Sequence, residues 1–584
     1  MTLEEEIKGA DILIRNLSEQ GVGTIFGVTG GASLEIFDAL GRIGNKYGIR
    51  LIDTSKEDGA GFAAQGYARS TGRVGVILTT SGPGATNSFT PLTDAYLDSI
   101  PLLLISGQVP SLMLGKGAFQ EAPVSDMSSP TTKKSYLIRD INKLPDTVAE
   151  AFYIAQNGRA GPVHIDITKD TTQKEAVFQS GKNNFTKLDS PNDLEHKVSI
   201  VFEQLKKSRK PVIYSGGGII SSGAYRELFE LSELTGTPVT NTVMGLGGFP
   251  GTHKYSLGML GMHGTAYSNF AINGSPLGNY SDGADFVLAI GARFDDRVTG
   301  KVSEFAKNAY VAHVDIDHKE NGKNKTPNVF VLSDAKQFLQ RLNARIKQES
   351  FRDYYSNWWK HLDLLKANFP LKYHTDFKDD RGMEIPTQYV ILKIWELTRD
   401  YEPIVTTGVG QHQMWAAQYF LVDEPRKFLT SAGLGSMGFG LPAAVGAQVA
   451  NPNKLVIDLD GERSGWFTAY ELETIARFNL PVKWVVFDNG GHGMVVQWQD
   501  NQYDGRYVVS KYKSIDFAQY AMLFRHLNEN IGSKRISKLE EVEPTLKEMI
   551  NHKGPYVLHV DVRYEHCLPM IPAGKTIKDI ILQN

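Results

Sequence analysis

The sequence has almost no cysteine. Cys567 is the single one among 584 residues, which excludes an intrachain disulfide framework and suits a reducing compartment. Its expected role is that of a small apolar residue without chemistry. A charge of one sign is missing too: 62 Lys+Arg stand against 65 Asp+Glu, a formal net charge of −3. That balance gives no electrostatic case for nucleic acid or an anionic membrane as a partner. No stretch is apolar for the length a membrane helix needs. The start, Met1-Thr-Leu-Glu-Glu-Glu-Ile-Lys8, lacks the basic and apolar segments of a signal peptide and the Arg/Ser richness of a transit peptide. A cytoplasmic protein is the expectation. Low-complexity segments and short-period repeats are also missing.

What is there is length, an ordinary globular composition and glycine. A chain of 584 residues is too long for one hydrophobic core, and three or four domains are expected. Glycine, 57 residues in all, clusters at the ends of apolar strands. In a first block Gly23-Thr-Ile-Phe-Gly-Val28 runs into Thr29-Gly30-Gly31, and Val74 to Thr80 into Ser81-Gly-Pro-Gly-Ala-Thr-Asn87. Pro101-Leu-Leu-Leu-Ile-Ser-Gly107 and Pro162 to Ile167 repeat the theme. A polar stretch from Gln179 to Asn192 reads as a linker. A second block carries Pro211-Val-Ile-Tyr-Ser-Gly-Gly-Gly218, Asp285 to Arg293 and Ala309 to Asp317. An aromatic, charged connection, partly helical, spans Phe351 to Asp380. A third block runs from about Ile385 to Val562, with strands at Ile404, Leu455 and Val482. Continuous apolar strands bounded by Gly or Pro, with helices between, predict an α/β fold of parallel sheets covered on both faces. The tail, Arg563 to Asn584, contains the Pro-rich Leu568-Pro-Met-Ile-Pro-Ala-Gly574, which cannot be a regular helix and is a candidate to fold back over a site.

Four motifs carry chemistry, each beside a plainer alternative. Gly433-Leu-Gly-Ser-Met-Gly438 matches G-x-G-x-x-G between a strand and a helix. No acidic residue ends a second strand at the expected distance, so close packing or an approach of backbone amides to a diphosphate is preferred to a dinucleotide site. Asp458-Leu-Asp-Gly-Glu-Arg-Ser464 and Asp488-Asn-Gly-Gly-His-Gly493 end two strands of one β-α-β unit, where oxygen side chains either hold a hard cation on a phosphate or simply make turns. Glu57 precedes a small-residue helix, either as a partly desolvated acid or as an acid favoured by the helix dipole. His313, Asp315 and Asp317 alternate along a strand. Hydroxyl acceptors or helix caps are preferred there to a metal site.

Taken together, these strings resemble the catalytic subunits of acetohydroxyacid (acetolactate) synthases, which depend on thiamine diphosphate (ThDP). The resemblance rests on Glu57 with Gly59-Ala-Gly61, Ser81-Gly-Pro-Gly-Ala-Thr-Asn87, Ala118-Phe-Gln-Glu-Ala122, Gly291-Ala-Arg-Phe-Asp-Asp-Arg-Val298, Gly408-Val-Gly-Gln-His-Gln-Met-Trp415 and Gln497-Trp-Gln499. It extends from about Ala10 to Ala573. It implies three doubly wound parallel-sheet domains: a pyrimidine-binding domain over 1–180, a central FAD-binding domain over 193–350 and a diphosphate-binding domain over 381–562, with a tail at 563–584. It implies pyruvate as donor, pyruvate or 2-oxobutanoate as acceptor, and an active site shared in a homodimer or homotetramer, with a regulatory small subunit as a further partner.

Roles follow the resemblance position by position. Glu57 hydrogen-bonds the aminopyrimidine of ThDP so that its imino form deprotonates C2 of the thiazolium. Met437 packs beneath the bent cofactor, Phe119 and Gln120 line the substrate site, and Lys169 also matches the family, after Thr168 where a proline is usual. Met494 and Trp498 shape the acceptor pocket, Trp498 setting which 2-oxo acid fits. Val28, Gly30, Pro83, Asn87, Gly410, Gln411, His412, Gly435, Gly461, Arg463 and Ser464 complete the ThDP contacts. FAD, which does no net redox work in this family, meets Arg159, Gly216, Gly217, Gly218, Thr242, Met259, Gly261, Met262, His263, Gly291, Ala292, Arg293, Asp295, Arg297, Asp315 and Asp334. Mg²⁺ falls to Glu462, Asn489 and Gly491.

The sequence departs from the family at the metal loop. Asp-Gly-Asp-Ala/Gly-Ser is replaced by Asp460-Gly-Glu462-Arg463-Ser464, and Asn-Asn by Asp488-Asn489. An extra methylene moves the carboxylate by about 1.5 Å, several times the ~0.2 Å tolerance of a metal site. Three outcomes stand open: Glu462 binds Mg²⁺ after the loop shifts, Arg463 binds the diphosphate directly with Glu462 as its ion-pair partner, or the cofactor site is lost. The second is preferred. A relative with another donor or acceptor, a flavin oxidase, and a non-catalytic paralogue are the alternatives to a carboligase.

Overall fold

The computed structural model describes residues 6–182, 192–277, 283–349 and 355–582. The linker expected over 179–192 and the start of the connection at Phe351 lie mostly outside them. The rest of that connection contains the helix Ser356–Asn368. Its Trp358, Leu362 and Leu365 are buried against Val212, Val287 and Val311 of the central sheet.

Each of three sheets has six strands, and every strand pairing that joins them is parallel. Central strands such as Leu102–Gln108 and Phe286–Ile290 are buried at every position, as a sheet with helices on both faces requires.

The first sheet orders Arg50–Asp53, Thr24–Gly27, Gly75–Thr79, Leu102–Gln108, Pro162–Thr168 and Lys134–Ile138. The third orders Phe428–Thr430, Ile404–Thr407, Val456–Gly461, Lys483–Asp488, Tyr556–Asp561 and Gly532–Ile536. Counted from each domain's own first strand, both read 2-1-3-4-6-5, so they are two copies of one topology that their sequences do not reveal. The central sheet, Ser256–Met259, Val239–Asn241, Pro211–Ser215, Phe286–Ile290, Tyr310–Asp315 and Val329–Leu332, reads 3-2-1-4-5-6. That is the order of dinucleotide-binding sheets, whose ligands lie beyond the carboxyl ends of strands where the order reverses.

The first and third domains touch through helices Glu57–Thr71 and Gly440–Ala450. Glycines set their separation: a Cβ on Gly66 would lie 2.0 Å from the Ala443 carbonyl oxygen, and one on Gly446 1.7 Å from that of Ala63. A buried ion network seals the same seam. Arg69 pairs with Asp94 at 3.0 Å and Asp98 at 2.9 Å and donates to the Thr430 carbonyl. Asp98 in turn accepts from the amides of Ala432 and Gly433.

The described part of the tail holds one 3₁₀ turn, Ile577–Asp579, and one isolated antiparallel bridge between Met570 and Ile581. It folds back on the central domain, where the Ile571 amide donates to the Met262 carbonyl at 2.8 Å and the Lys301 amide to that of Lys575 at 2.9 Å. No helix among the described residues is long and apolar enough to cross a membrane.

Candidate active site

A cavity of about 1240 Å³ opens at the switch point of the central sheet and reaches the third domain. Most of the expected flavin residues line it: Arg159, Gly217, Gly218, Thr242, Met259, Met262, His263, Gly291, Ala292, Arg293, Asp295, Arg297, Asp315 and Asp334. Gly216 and Gly261 stand behind that wall. A Cβ on Gly216 would sit 2.1 Å from the Gly291 carbonyl oxygen and one on Gly218 2.5 Å from the Gly291 Cα, so the two strand ends meet with no room for side chains. Burial pushes the Asp315 carboxyl up to about 6 and also raises that of Asp295. The metal alternative for His313 fails on geometry: its Nε2 faces the Ala292 carbonyl at 2.9 Å, while Asp315 and Asp317 accept from the amides two residues on.

At its far end the same cavity is lined by Gly410, Gly435, Met494 and Trp498, bringing the expected thiazolium end and acceptor pocket against the flavin end. Val409 and Gln413 join them there. The loops behind are tightly fitted. A Cβ on Gly408 would lie 1.9 Å from Asp460 Oδ1, and one on Gly461 2.8 Å from His412 Nδ1. Ser464 Oγ accepts from the amides of Val409 and Gly438, each at 3.1 Å. Gln411 receives Asn489 Nδ2 at 3.2 Å and donates to Gln497 at 2.8 Å.

Met437 and Arg463 line a second cavity of about 570 Å³, where the third domain faces Asp58, Phe62 and Thr90 of the first. Glu57 opens the facing helix. It is half-buried, and Asn87 donates to its Oε2 at 3.0 Å. The loops that carry Gly30, Pro83 and Gln120 converge beside it: a Cβ on Gly82 would meet the Gln120 carbonyl oxygen at 2.7 Å, and one on Gly30 the Thr80 side chain at 2.4 Å. Val28 leaves the neighbouring strand, its amide donating to the Leu78 carbonyl. Phe119 is 88% exposed. Lys169 opens the short helix after Pro162–Thr168 and lines neither cavity.

The metal loop differs from expectation. Glu462 is buried, and its Oε1 accepts from the Gly491 amide at 2.9 Å and the Tyr512 hydroxyl at 3.3 Å. Burial and then Asp488 push its carboxyl up to about 8. The expected Glu462–Arg463 ion pair does not form, because the two side chains leave the short helix Glu462–Trp466 in different directions. The Arg463 guanidinium lies over the rings of Tyr512 at 5.1 Å and Phe467 at 5.8 Å, and among the described residues it has no carboxylate or hydrogen-bond partner, its Nε being buried. Asn489 Oδ1 is likewise buried without a partner. The donor set thus offers an amide oxygen ready for a cation, a carboxylate already occupied, and a cation ready for an anion. Tyr512 was invisible in the sequence, fifty residues from Glu462 with no motif around it.

Two other clusters imitate sites without being any. Asp488, His559 and Asp561 bring ligand-type atoms together, but His559 Nδ1 accepts from the Phe517 amide at 3.1 Å. Its proton is therefore on Nε2, directed at Asp488 at 3.2 Å, which leaves no lone pair for a metal. Ser106, His164 and Asp166 mimic a triad, but all three are fully buried and the aspartate holds the serine, not the histidine.

Fold and site together define a three-domain enzyme of the ThDP class. The thiamine pyrophosphate enzyme models match in all three parts: the N-terminal TPP binding domain over residues 7–129, the central domain over 198–342 and the C-terminal TPP binding domain over 408–560. Within that class the chain belongs to the acetolactate synthase family. It is 46% identical to acetolactate synthase 1, chloroplastic, of Oryza sativa subsp. japonica, covering 99% of this chain and 88% of that protein. It is 46% identical to its Zea mays counterpart, over 99% and 89%, and 43% identical to acetolactate synthase, chloroplastic, of Arabidopsis thaliana, over 99% and 85%.

Proposed function

We propose that this chain is a carboligase that decarboxylates pyruvate and joins the two-carbon unit to a second 2-oxo acid, giving acetolactate in branched-chain amino-acid biosynthesis. The observation that carries this reading is the single cavity in which a glycine-walled flavin cleft runs into Gly410, Gly435, Met494 and Trp498. The cofactors are ThDP, FAD and Mg²⁺. Bound ThDP supplies an electron sink that accepts the electrons of the breaking carbon–carbon bond as CO₂ leaves.

The protein's own part is placement and charge. Glu57, at the head of its helix, is set to hydrogen-bond the pyrimidine ring and hold the proton that tunes it. Met437 supports the cofactor's bend, and Phe119 with Gln120 closes over the substrate. Trp498 and Met494 bound the space left for the acceptor. Arg463, with no anion of its own among the described residues, contributes positive charge to the diphosphate beside the oxygen donors Asn489, Gly491 and Glu462.

A second copy completes the site. The loop bearing Phe119 leaves Leu112 82% and Phe119 88% exposed, as expected of a surface that a homodimer or homotetramer covers. The domain assignments over 1–180, 193–350 and 381–562 belong to this reading, as do a regulatory small subunit and a reducing, cytoplasmic location suited to one buried cysteine.

Acetolactate formation from pyruvate, with ThDP and FAD, measured with Mg²⁺ and again with a chelator, tests the proposal. Turnover is expected in both arms, reduced by the chelator. Turnover only with Mg²⁺ would remove Arg463 from the diphosphate. No turnover in either arm from folded protein would sink the carboligase. Oxygen uptake with bleaching of bound flavin would establish the oxidase instead.

A further inference from the structure

A glutamate with no cation is buried at the joint between the first and third domains. Glu471 is 0% exposed and has no salt bridge among the described residues. Its acceptors are spent on the first domain: Oε1 accepts from the Lys56 amide at 3.3 Å and Oε2 from the Ser55 amide at 3.4 Å. Thr474, also fully buried, holds Oε2 at 2.6 Å. Burying a carboxylate without a counter-charge is expensive unless donors satisfy it, and burial pushes this one up to about 7. The donors it found are backbone amides immediately before Glu57.

Those amides matter because, among the described residues, the first turn of helix Glu57–Thr71 supplies itself only one side-chain acceptor, Asp58 Oδ1 on the Gly59 amide at 2.9 Å. Lys56 occupies the N-cap position and makes no side-chain cap hydrogen bond, although the amides at a helix start need acceptors. The acceptor comes instead from 415 positions along the chain. The fit is close on both sides: a Cβ on Gly59, in the first turn, would lie 2.0 Å from Glu471 Oε1.

Neighbours of Glu471 grip the same segment. Ser55 Oγ donates to the Tyr470 carbonyl at 3.0 Å and to Glu473 at 3.1 Å. The Tyr470 hydroxyl donates to Asp58 at 2.7 Å. Arg477 holds both the carboxylate and the carbonyl of Asp53, each at 2.8 Å. Residues 470–477 of the third domain therefore clamp residues 53–58 of the first on both sides of Glu57. The Glu57 carboxylate itself has one side-chain hydrogen-bond partner among the described residues, Asn87, so its backbone anchor decides where it points.

We infer that Glu471, braced by Thr474, is a positioning residue for the reaction: it caps the Glu57 helix from another domain and so sets the placement of the Glu57 carboxylate. This rests on the ThDP reading of Glu57 given above. Displacing a catalytic group by about 1 Å costs on the order of 10²-fold in rate, while contacts that bind substrate and cofactor elsewhere are left in place.

The test uses the full-length holoenzyme and three readouts: ThDP affinity, kcat and KM for pyruvate, and the rate at which the C2 proton of bound ThDP exchanges with solvent deuterium. In Glu471→Ala, C2 exchange and kcat are expected to fall together by about 10²-fold, with ThDP affinity and KM changing less than about threefold. Glu471→Gln keeps one acceptor oxygen in an isosteric side chain and is expected to recover most of the loss. Unchanged exchange in Glu471→Ala overturns the inference, as does an equal fall in ThDP affinity or a glutamine variant as impaired as the alanine one. Should the alanine variant not fold, Thr474→Val, which removes the shorter of the two hydrogen bonds to Oε2 without removing the charge, is expected to slow exchange about five- to tenfold, and no slowing overturns the inference. Glu57→Gln run in parallel separates the two ideas: if it leaves exchange intact, the reading of Glu57 fails, whatever Glu471 does.

Discussion

Glu462 and Arg463 are adjacent in the chain yet face different problems. The glutamate is sealed among the Gly491 amide, the Tyr512 hydroxyl and Asp488; the arginine rests on two aromatic rings, its donors unclaimed among the described residues. An ion pair between neighbours looked natural in the sequence, and it fails because successive positions on a helix point about 100° apart. Glu57, Asn87 and Met437 were legible because each sits inside a distinctive string. Tyr512 and Glu471 were not, since their partners lie fifty and more than four hundred residues away. Trp498 gives the clearest residue-scale prediction. It is half-buried on the cavity wall beside Met494, so Trp498→Leu enlarges the acceptor space and weakens the choice between 2-oxobutanoate and pyruvate. A pocket contact of one methylene is worth about 1–3 kcal/mol. The product ratio in a competition of the two acceptors is expected to shift about tenfold towards pyruvate, with acetolactate turnover retained.

Among the elements, the strand–turn–helix units show how a motif misleads by position. Gly433 to Gly438 matches the dinucleotide pattern, yet it lies in a sheet ordered 2-1-3-4-6-5, while the dinucleotide order 3-2-1-4-5-6 belongs to the central sheet. There the turn after Pro211–Ser215 is Gly216-Gly217-Gly218, packed onto Gly291 of the neighbouring strand's end. Glycines are needed because two backbones touch, whatever the spacing. Gly218→Ala places a methyl group 2.5 Å from the Gly291 Cα. Overpacking of about 1–3 kcal/mol is expected to weaken flavin retention 10- to 100-fold, read as flavin absorbance per subunit after dialysis. Full retention would mean that the flavin lies elsewhere.

Across the whole molecule, burial gathers carboxyls whose protons stay on longer than usual. It pushes Asp315 up to about 6, Asp166 and Glu471 up to about 7, and Glu462 up to about 8. Each binds a proton more readily folded than unfolded, so its stabilising contribution is complete below the ordinary carboxyl range, falls as pH rises above it, and is gone once pH has passed the raised values of 6 to 8. Buried His164, His263 and His313 act in the opposite sense: burial holds them down to about 3, 4 and 4, so stability is lost as pH falls below their ordinary 6.5. Above pH 6.5 the histidine contribution is complete while the carboxyl contribution is still being lost, so the melting temperature of the purified chain is expected to drop by several degrees between pH 6.5 and 8. A scanning calorimetry profile rising steadily to pH 8 would contradict these environments. The parallel α/β class, the three blocks, the glycine-ended strands and the family strings that hold Glu57, Met437 and Trp498 can be read along the linear chain, because periodicity and short motifs are local properties. That the first and third domains share a topology, that Arg463 makes no ion pair with Glu462, and that residues 470–477 hold the base of the Glu57 helix emerge only from the folded chain. Those facts depend on which distant surfaces meet, and a residue's partners and burial exist only after they have met.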